Sequence, residues 1–275
     1  MFGKVIIYTV GILSVSILGW FFVVGNEFSI PTSSAAQTPV STTPVLTTDT
    51  WGIFDPNTGT ILAGENLDKK LPIASVTKLF TADAVLGSQK KDETFTILAS
   101  DVNTEGRAGK LVAGEKVTPY ELLFPLLIES SNDAAEAIRR HLGEEFLQTI
   151  FTIKKTLSLT NTIISDASGL DSRNVSTVED LSTFYAYLRK AHPHVLDITQ
   201  LHTYVGSSAG YVNNDPARTL THFTGGKHGY TDEAGRTFVG TFTLPNAPRE
   251  LGFVLLKSDD LLNDIQVLLA YSESL

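Results

Sequence analysis

Twenty consecutive residues, Val5 to Val24 (VIIYTVGILSVSILGWFFVV), carry no charge. A helix of that length spans about 30 Å, the thickness of a bilayer's hydrocarbon core. The run is apolar on every face, so it has no polar stripe to turn toward water. Trp20, Phe21 and Phe22 gather at its far end, where aromatic rings suit the membrane interface. Lys4 is the only basic residue before the run, and the next is Lys69. That asymmetry orients the N-terminus toward the cytoplasm and the rest of the chain outward. A cleaved signal peptide is the competing reading, but its apolar core is shorter and a small-residue site follows it directly. Ala35-Ala36 lies too far downstream for that role. Residues 1–25 are therefore expected to form a cytoplasmic stub and one transmembrane helix. Residues 26–49 are rich in Ser, Thr and Pro, hold no Lys or Arg and show no periodicity. They read as a solvated linker, leaving 50–275 as a folded extracytoplasmic domain.

Composition narrows what that domain does. Net charge is −9, from 21 Lys+Arg and 30 Asp+Glu, which argues against nucleic acid as a partner. The chain has no cysteine, so disulfides, thiolate nucleophiles and Cys-ligated zinc are excluded. Hydrophobic residues make up 42%, enough for a packed core.

The patterning predicts a hairpin first, with Trp51–Phe54 and Thr60–Ala63 around the turn Asp55-Pro-Asn-Thr-Gly59. Leu71–Ala82 reads as the entry to a helix, with Pro72 at its start. Thr118-Pro119-Tyr120-Glu121 carries a capping box and opens another helix, which Pro125 should kink or end. Asn132–His141 and Leu181–Lys190 are helical, the latter behind the cap signals of Ser176–Asp180. Arg236–Leu244 and Arg249–Leu256 read as an antiparallel hairpin, and Asp259–Tyr271 as a final amphipathic helix. Strands from both ends of the domain are expected to share one antiparallel sheet with helices on its faces, an α+β (mixed α/β) architecture.

Three short segments can carry chemistry. Ser75-Val-Thr-Lys78 places a hydroxyl and an amine on one helical face; serine becomes a nucleophile only when a neighbouring base takes its proton. Ser130-Ser131-Asn132 supplies a second hydroxyl and a carboxamide where two helical runs meet. Gly225-Gly-Lys-His-Gly229 offers a cation, Lys227, beside glycines that let backbone approach a ligand. Each alone is also an ordinary helix cap or turn. The order S-x-x-K, S-x-N, K-x-G is far more specific than any member.

With these motifs, residues 51–275 resemble the serine-type D-Ala-D-Ala carboxypeptidases, the low-molecular-mass penicillin-binding proteins. Asp166-Ala-Ser-Gly-Leu170 and Lys227-His-Gly-Tyr-Thr-Asp-Glu-Ala-Gly235 extend the likeness. The resemblance implies the penicillin-binding/β-lactamase-like transpeptidase fold, a peptidoglycan stem peptide ending in D-Ala-D-Ala as substrate and β-lactam antibiotics as inhibitors. It implies no metal and no cofactor. It also implies roles. Ser75 would attack the carbonyl between the two D-alanines, with Lys78 as general base. Ser130 would relay a proton to the leaving amine. Asn132 would hold the substrate and position Lys78, and Lys227 would attract the terminal carboxylate. The N–H groups of Ser75 and Tyr230 would form the oxyanion hole, and Gly229 would let its strand lie against the substrate. The N-terminal helix would replace the C-terminal anchor of some relatives, whose extra β-domain is not expected here.

His228 is the chief departure, because the family usually has Thr or Ser there, and histidine changes charge near pH 6.5. Its cation would bind the carboxylate, or its bulk would impair turnover. Ser131 and Pro125 are milder departures. The histidine favours a second reading, a noncatalytic peptidoglycan-binding protein on the same fold. A β-lactamase reading lacks an E-x-x-L-N segment between Asn132 and Lys227. His192-Pro-His194 reads as an exposed loop rather than a metal site, Arg107 and Arg173 as surface residues with a groove-lining alternative, and Arg236 as a possible carboxylate contact.

Overall fold

Alternation along the strands decides how the sheet is covered. In the computed structural model, which describes residues 43–275 apart from 107–109, 207–208 and 246–247, five strands form one antiparallel sheet. They are β1 (Thr50–Phe54), β2 (Ile61–Glu65), β9 (Phe223–Thr231), β10 (Gly235–Thr243) and β11 (Glu250–Ser258), in the order β2-β1-β11-β10-β9. Side chains of successive strand residues point to opposite faces. Leu251, Phe253 and Leu255 accordingly face one core, with Trp51, Phe238 and Phe242, while Val254 and Leu256 face the other with Val239. Both faces are buried, so the sheet is a middle layer.

The helices follow in chain order: α1 (Thr77–Gly87), α2 (Leu123–Ile128), α3 (Asn132–Leu142), α4 (Glu144–Thr156), α5 (Val178–Ala191), α6 (Pro193–Gln200) and α7 (Leu261–Ser272). The amphipathic α7 covers one face with Leu261, Ile265 and Leu268. The larger core on the other face takes side chains from α1 to α6. Every residue of α1 from Thr77 to Val85 is buried, as befits a helix with no solvent face. Three small ladders complete the domain: β3 (Leu71–Pro72) with β6 (Val175–Ser176), β4 (Phe95–Thr96) with β5 (Lys116–Val117), and β7 (Thr203–Val205) with β8 (Gly210–Val212).

The expected α+β fold and the shared sheet are present, with local differences. The capping box of Thr118 and Glu121 forms reciprocally, but it caps a turn, and the helix begins at Leu123. Pro125 thus falls in the first turn of α2, where its missing N–H has no intrahelical partner to lose. It does not end the helix. Ser131 is the N-cap of α3, accepting from Ala134 N–H at 3.0 Å. The glycine-rich segment around Lys227 is the interior of a nine-residue strand, not a turn.

The apolar run 5–24 and residues 26–42 of the expected linker lie outside the described residues, as does Arg107. Among the described residues no helix is long and apolar enough to cross a membrane. The end of the expected linker is docked. Thr47 binds the buried Asp264 through its backbone N–H and its hydroxyl, at 2.9 and 2.8 Å, and the Thr48 hydroxyl donates to Leu256 O at 2.7 Å.

Candidate active site

Lys78 organises the centre. It opens the buried helix α1, one residue after the N-terminal Thr77, and its side chain is fully enclosed. Its Nζ lies 2.9 Å from Ser75 Oγ, 2.8 Å from Asn132 Oδ1 and 2.6 Å from Ser168 O. Asn132 Nδ2 donates to Glu105 O at 2.7 Å, which fixes the amide with its oxygen toward the lysine. An amide oxygen and a carbonyl can only accept; a serine hydroxyl can accept or donate. The same heavy-atom positions therefore serve an ammonium that donates to Ser75 and a neutral amine that receives the Ser75 proton.

Ser75 sits in a 3-10 turn, Ala74–Val76, between β3 and α1. This turn is held from three sides. Ile73 N–H donates to Asn174 O at 2.9 Å, and Thr237 Oγ1 on β10 donates to Ile73 O at 2.9 Å. Ala74 has a positive φ of 44°, a sparsely populated conformation that surrounding structure must enforce. Strand β9 passes so close that a Cβ at Gly229 would lie 2.5 Å from Ser75 N and 2.8 Å from Thr237 Oγ1. The glycine is needed against the nucleophile's own backbone, a more specific reason than the room for substrate that the resemblance implies.

The loop 166–171 forms the other wall. Asp166 accepts N–H bonds from Ser168, Gly169 and Asp171, which turns Ser168 O toward Lys78. Gly169 has φ 89°, and a Cβ there would lie 1.9 Å from Ala74 O. Ser130, between α2 and α3, also has a positive φ, 61°. Ser75, Ser130, Asn132, His228, Gly229 and Tyr230 border one cavity of about 160 Å³.

Lys227 is buried behind this wall, 1% exposed, and its Nζ donates to His228 O at 2.8 Å. It is not among the residues that line the cavity, whereas the next residue, His228, is. Both lie beside Asp215, which is 6% exposed. Burial pushes the Asp215 carboxyl up, but the charges of His228 and Lys227 and a hydrogen bond from Ala217 N–H outweigh it and hold the group at about 2.

Tyr230 is exposed, and its hydroxyl donates to Asp232 at 3.0 Å. Arg236 stacks over the Tyr230 ring at 5.3 Å, and Arg173 is exposed and paired with Asp171. His192 lies 3.6 Å from Asp83, and His194 beside Asp197, both away from the site. The sequence reading passed over Asp215, the Ser168 carbonyl and Thr237. Only Asp166 had a readable signal, a carboxylate ahead of a Ser-Gly turn.

A buried amine on a serine hydroxyl, a second serine on the same cavity and an enclosed cation on the edge strand are the arrangement of a serine hydrolase. The comparisons agree. The model of the D-alanyl-D-alanine carboxypeptidase family matches residues 36–255, and the chain belongs to that family. It is 30% identical to D-alanyl-D-alanine carboxypeptidase DacB2 of Mycobacterium tuberculosis over 201 residues, 70% of this chain and 69% of that protein. It is 32% identical to a D-alanyl-D-alanine endopeptidase of Pseudomonas aeruginosa, over 47% of this chain and only 44% of the relative's length. A crystal structure of a D-alanyl-D-alanine carboxypeptidase from Mycobacterium tuberculosis superposes with a TM-score of 0.77 at 26% identity, over 84% of this chain and 93% of that one. Penicillin-binding protein D2 from Listeria monocytogenes, in its cefotaxime-bound form, superposes at 0.72 with 26% identity, over 83% and 97% of the two chains.

Proposed function

We propose that this protein is a membrane-anchored serine peptidase that removes the terminal D-Ala from peptidoglycan stem peptides. The observation that carries the reading is the 2.9 Å contact between Lys78 Nζ and Ser75 Oγ inside an otherwise enclosed polar cluster. Ser75 Oγ bonds to the carbonyl carbon between the two D-alanines while its proton passes to Lys78. The C–N bond then breaks, and the departing amine takes a proton relayed through Ser130. The Ser75 and Tyr230 N–H groups stabilise the oxyanion. Water adds to the ester, which restores the Ser75 hydroxyl and leaves a carboxylate on the shortened peptide. Relatives named as endopeptidases support the same chemistry on cross-linked peptides. The uncharged run 5–24 would hold the enzyme at the outer face of the cell membrane, with β-lactams as acylating inhibitors.

The full chain, purified in detergent, should release D-alanine from a diacyl-Lys-D-Ala-D-Ala peptide, and Ser75→Ala should release none. No release, with labelled penicillin still acylating Ser75, means a live nucleophile with a different acceptor. Neither reaction means a binding protein on an enzyme fold. Retention of the full chain in alkali-washed membranes tests the anchor.

A further inference from the structure

The resemblance treats His228 as a lone substitution, yet the structure gives it a partner. Asp215 is the N-cap of a 3-10 turn, Pro216–Thr219, that packs beside β9. Its Oδ1 accepts from Ala217 N–H at 2.9 Å. Its Oδ2 accepts from the His228 backbone N–H at 2.9 Å and lies 3.2 Å from His228 Nδ1. The carboxylate is almost wholly removed from solvent, and His228 Nδ1 is buried against it. His228 borders the cavity that holds Ser75 and Ser130.

We propose that Asp215 is a positioning residue that holds His228 as an imidazolium, and that this imidazolium is the group in the cavity wall that receives the substrate's terminal carboxylate. The inference rests on the proposed reaction at Ser75 with a substrate that ends in a carboxylate. It replaces the hydroxyl expected at position 228, and it places Lys227 behind the contact as a buried supporting charge.

The chemistry follows from the two ring nitrogens. A carboxylate beside Nδ1 keeps a proton on that nitrogen. In the neutral ring the opposite nitrogen, Nε2, then presents a lone pair, which repels an anion. In the imidazolium both nitrogens donate, and Nε2–H makes a charge-assisted bond to a carboxylate. Binding thus tracks one protonation step. The charged groups that act on the pair are Asp215 from the 3-10 turn and Lys227 from the strand of His228 itself. The lysine opposes the imidazolium and Asp215 favours it. Asp215 touches the ring, whereas the Lys227 amine points to the His228 carbonyl, so the carboxylate prevails.

The test measures kcat and KM for the full chain from pH 5 to 9, as release of D-Ala from diacyl-Lys-D-Ala-D-Ala and of D-alaninamide from its C-terminal amide. Wild type should show KM for the acid rising about tenfold per pH unit above the deprotonation of His228, with kcat nearly flat and the amide indifferent. Asp215→Asn should move that limb to lower pH and raise KM roughly tenfold at pH 7. His228→Thr should remove the limb, and adding Asp215→Asn to it should then change little. An unmoved limb in Asp215→Asn, an equal loss in both backgrounds, or an amide with the same limb would overturn the proposal. If the peptide is not cut, the rate of acylation by penicillin, which bears its own carboxylate, reads the same limb. If neither reacts, the proposed function fails, and NMR of histidine-labelled full chain still decides on the pair. The resonance missing in His228→Thr must titrate at lower pH in Asp215→Asn than in wild type, and an unchanged titration refutes the pair.

Discussion

Replacing Gly229 with alanine tests whether the register of β9 against Ser75 sets the reactivity of the site. The added Cβ would lie 2.5 Å from Ser75 N, 2.8 Å from Thr237 Oγ1 and 2.9 Å from Ala74 Cβ. Ordinary contact begins at 3.4 Å, so the strand and the turn must separate by about 0.9 Å, the difference between 3.4 and 2.5 Å. None of the three atoms is the far end of a flexible chain. The Thr237 hydroxyl is tied to Ile73 O, and Ala74 is already at positive φ. Overpacking of this kind costs about 1–3 kcal/mol. In a domain of this size that lowers Tm by roughly 2–4 °C per kcal/mol. The functional cost is larger, because a misplacement near 1 Å at reacting atoms costs about 10²-fold, and loss of one oxyanion donor costs about 10²–10³-fold. Penicillin acylation of Ser75 and kcat for D-Ala release should both fall by about two orders of magnitude, while the thermal melt stays cooperative. Acylation within a few fold of wild type would refute the claim that this contact positions the nucleophile.

Asn132→Ala removes the Lys78 acceptor and the bond to Glu105 O; kcat/KM should drop by about 10²-fold, with about 1–3 kcal/mol lost in denaturant titration. Asp166→Ala frees three backbone N–H groups of the loop that aims Ser168 O; acylation should slow and protease nicking should appear within 166–171, and an uncut loop with normal acylation would count against the bracing role. Asp83, buried in α1, is pushed up to about 7 by desolvation, opposed by a hydrogen bond from Tyr187. Because the folded form keeps the proton longer than the unfolded chain, stability is highest below pH 4 on this account and declines as pH rises to about 7. The gap from 3.8 corresponds to roughly 4 kcal/mol, so Asp83→Asn should be more stable than wild type at pH 8 by urea titration and differ little at pH 4. Asp215 has the opposite sign: its carboxyl, held at about 2, contributes stability above pH 4 that is lost as pH falls toward 2, and Asp215→Asn should flatten that acid limb.

Much of this was legible because local chemistry agreed with the fold. The first hairpin followed from its D-P-N-T-G turn, and α3, α5 and α7 from their caps and periodicity. The core of the site followed from three motifs whose order, rather than their content, was diagnostic. Other parts were hidden for identifiable reasons. Helix α4 buries Phe146, Ile150 and Ile153 on one face but exposes Leu147 and Phe151 on another, so its stripe is blurred. Strand β9 carries Gly225, Gly226 and Gly229, which lower strand propensity; only contact with neighbouring elements reveals why residues without side chains sit there.

The roles that the sequence concealed belong to groups whose function is to hold another group. Ser168 acts through a carbonyl, which every residue has, so no side-chain pattern marks it. Asp215 lies 13 residues before His228 in a separate element, and before a proline an aspartate reads as a turn former. Taken singly, a histidine in place of a hydroxyl looks like damage to a carboxylate site. Beside a buried carboxylate that stays ionised, it is a substitution with its counter-charge already installed. An anion-binding cation needs such support, since an unpaired charge in this enclosed wall would be expelled or neutralised, whereas a threonine needs none. The presence of the acid is what separates an exchanged recognition group from a decaying one, and it makes activity at this site a property of the pair.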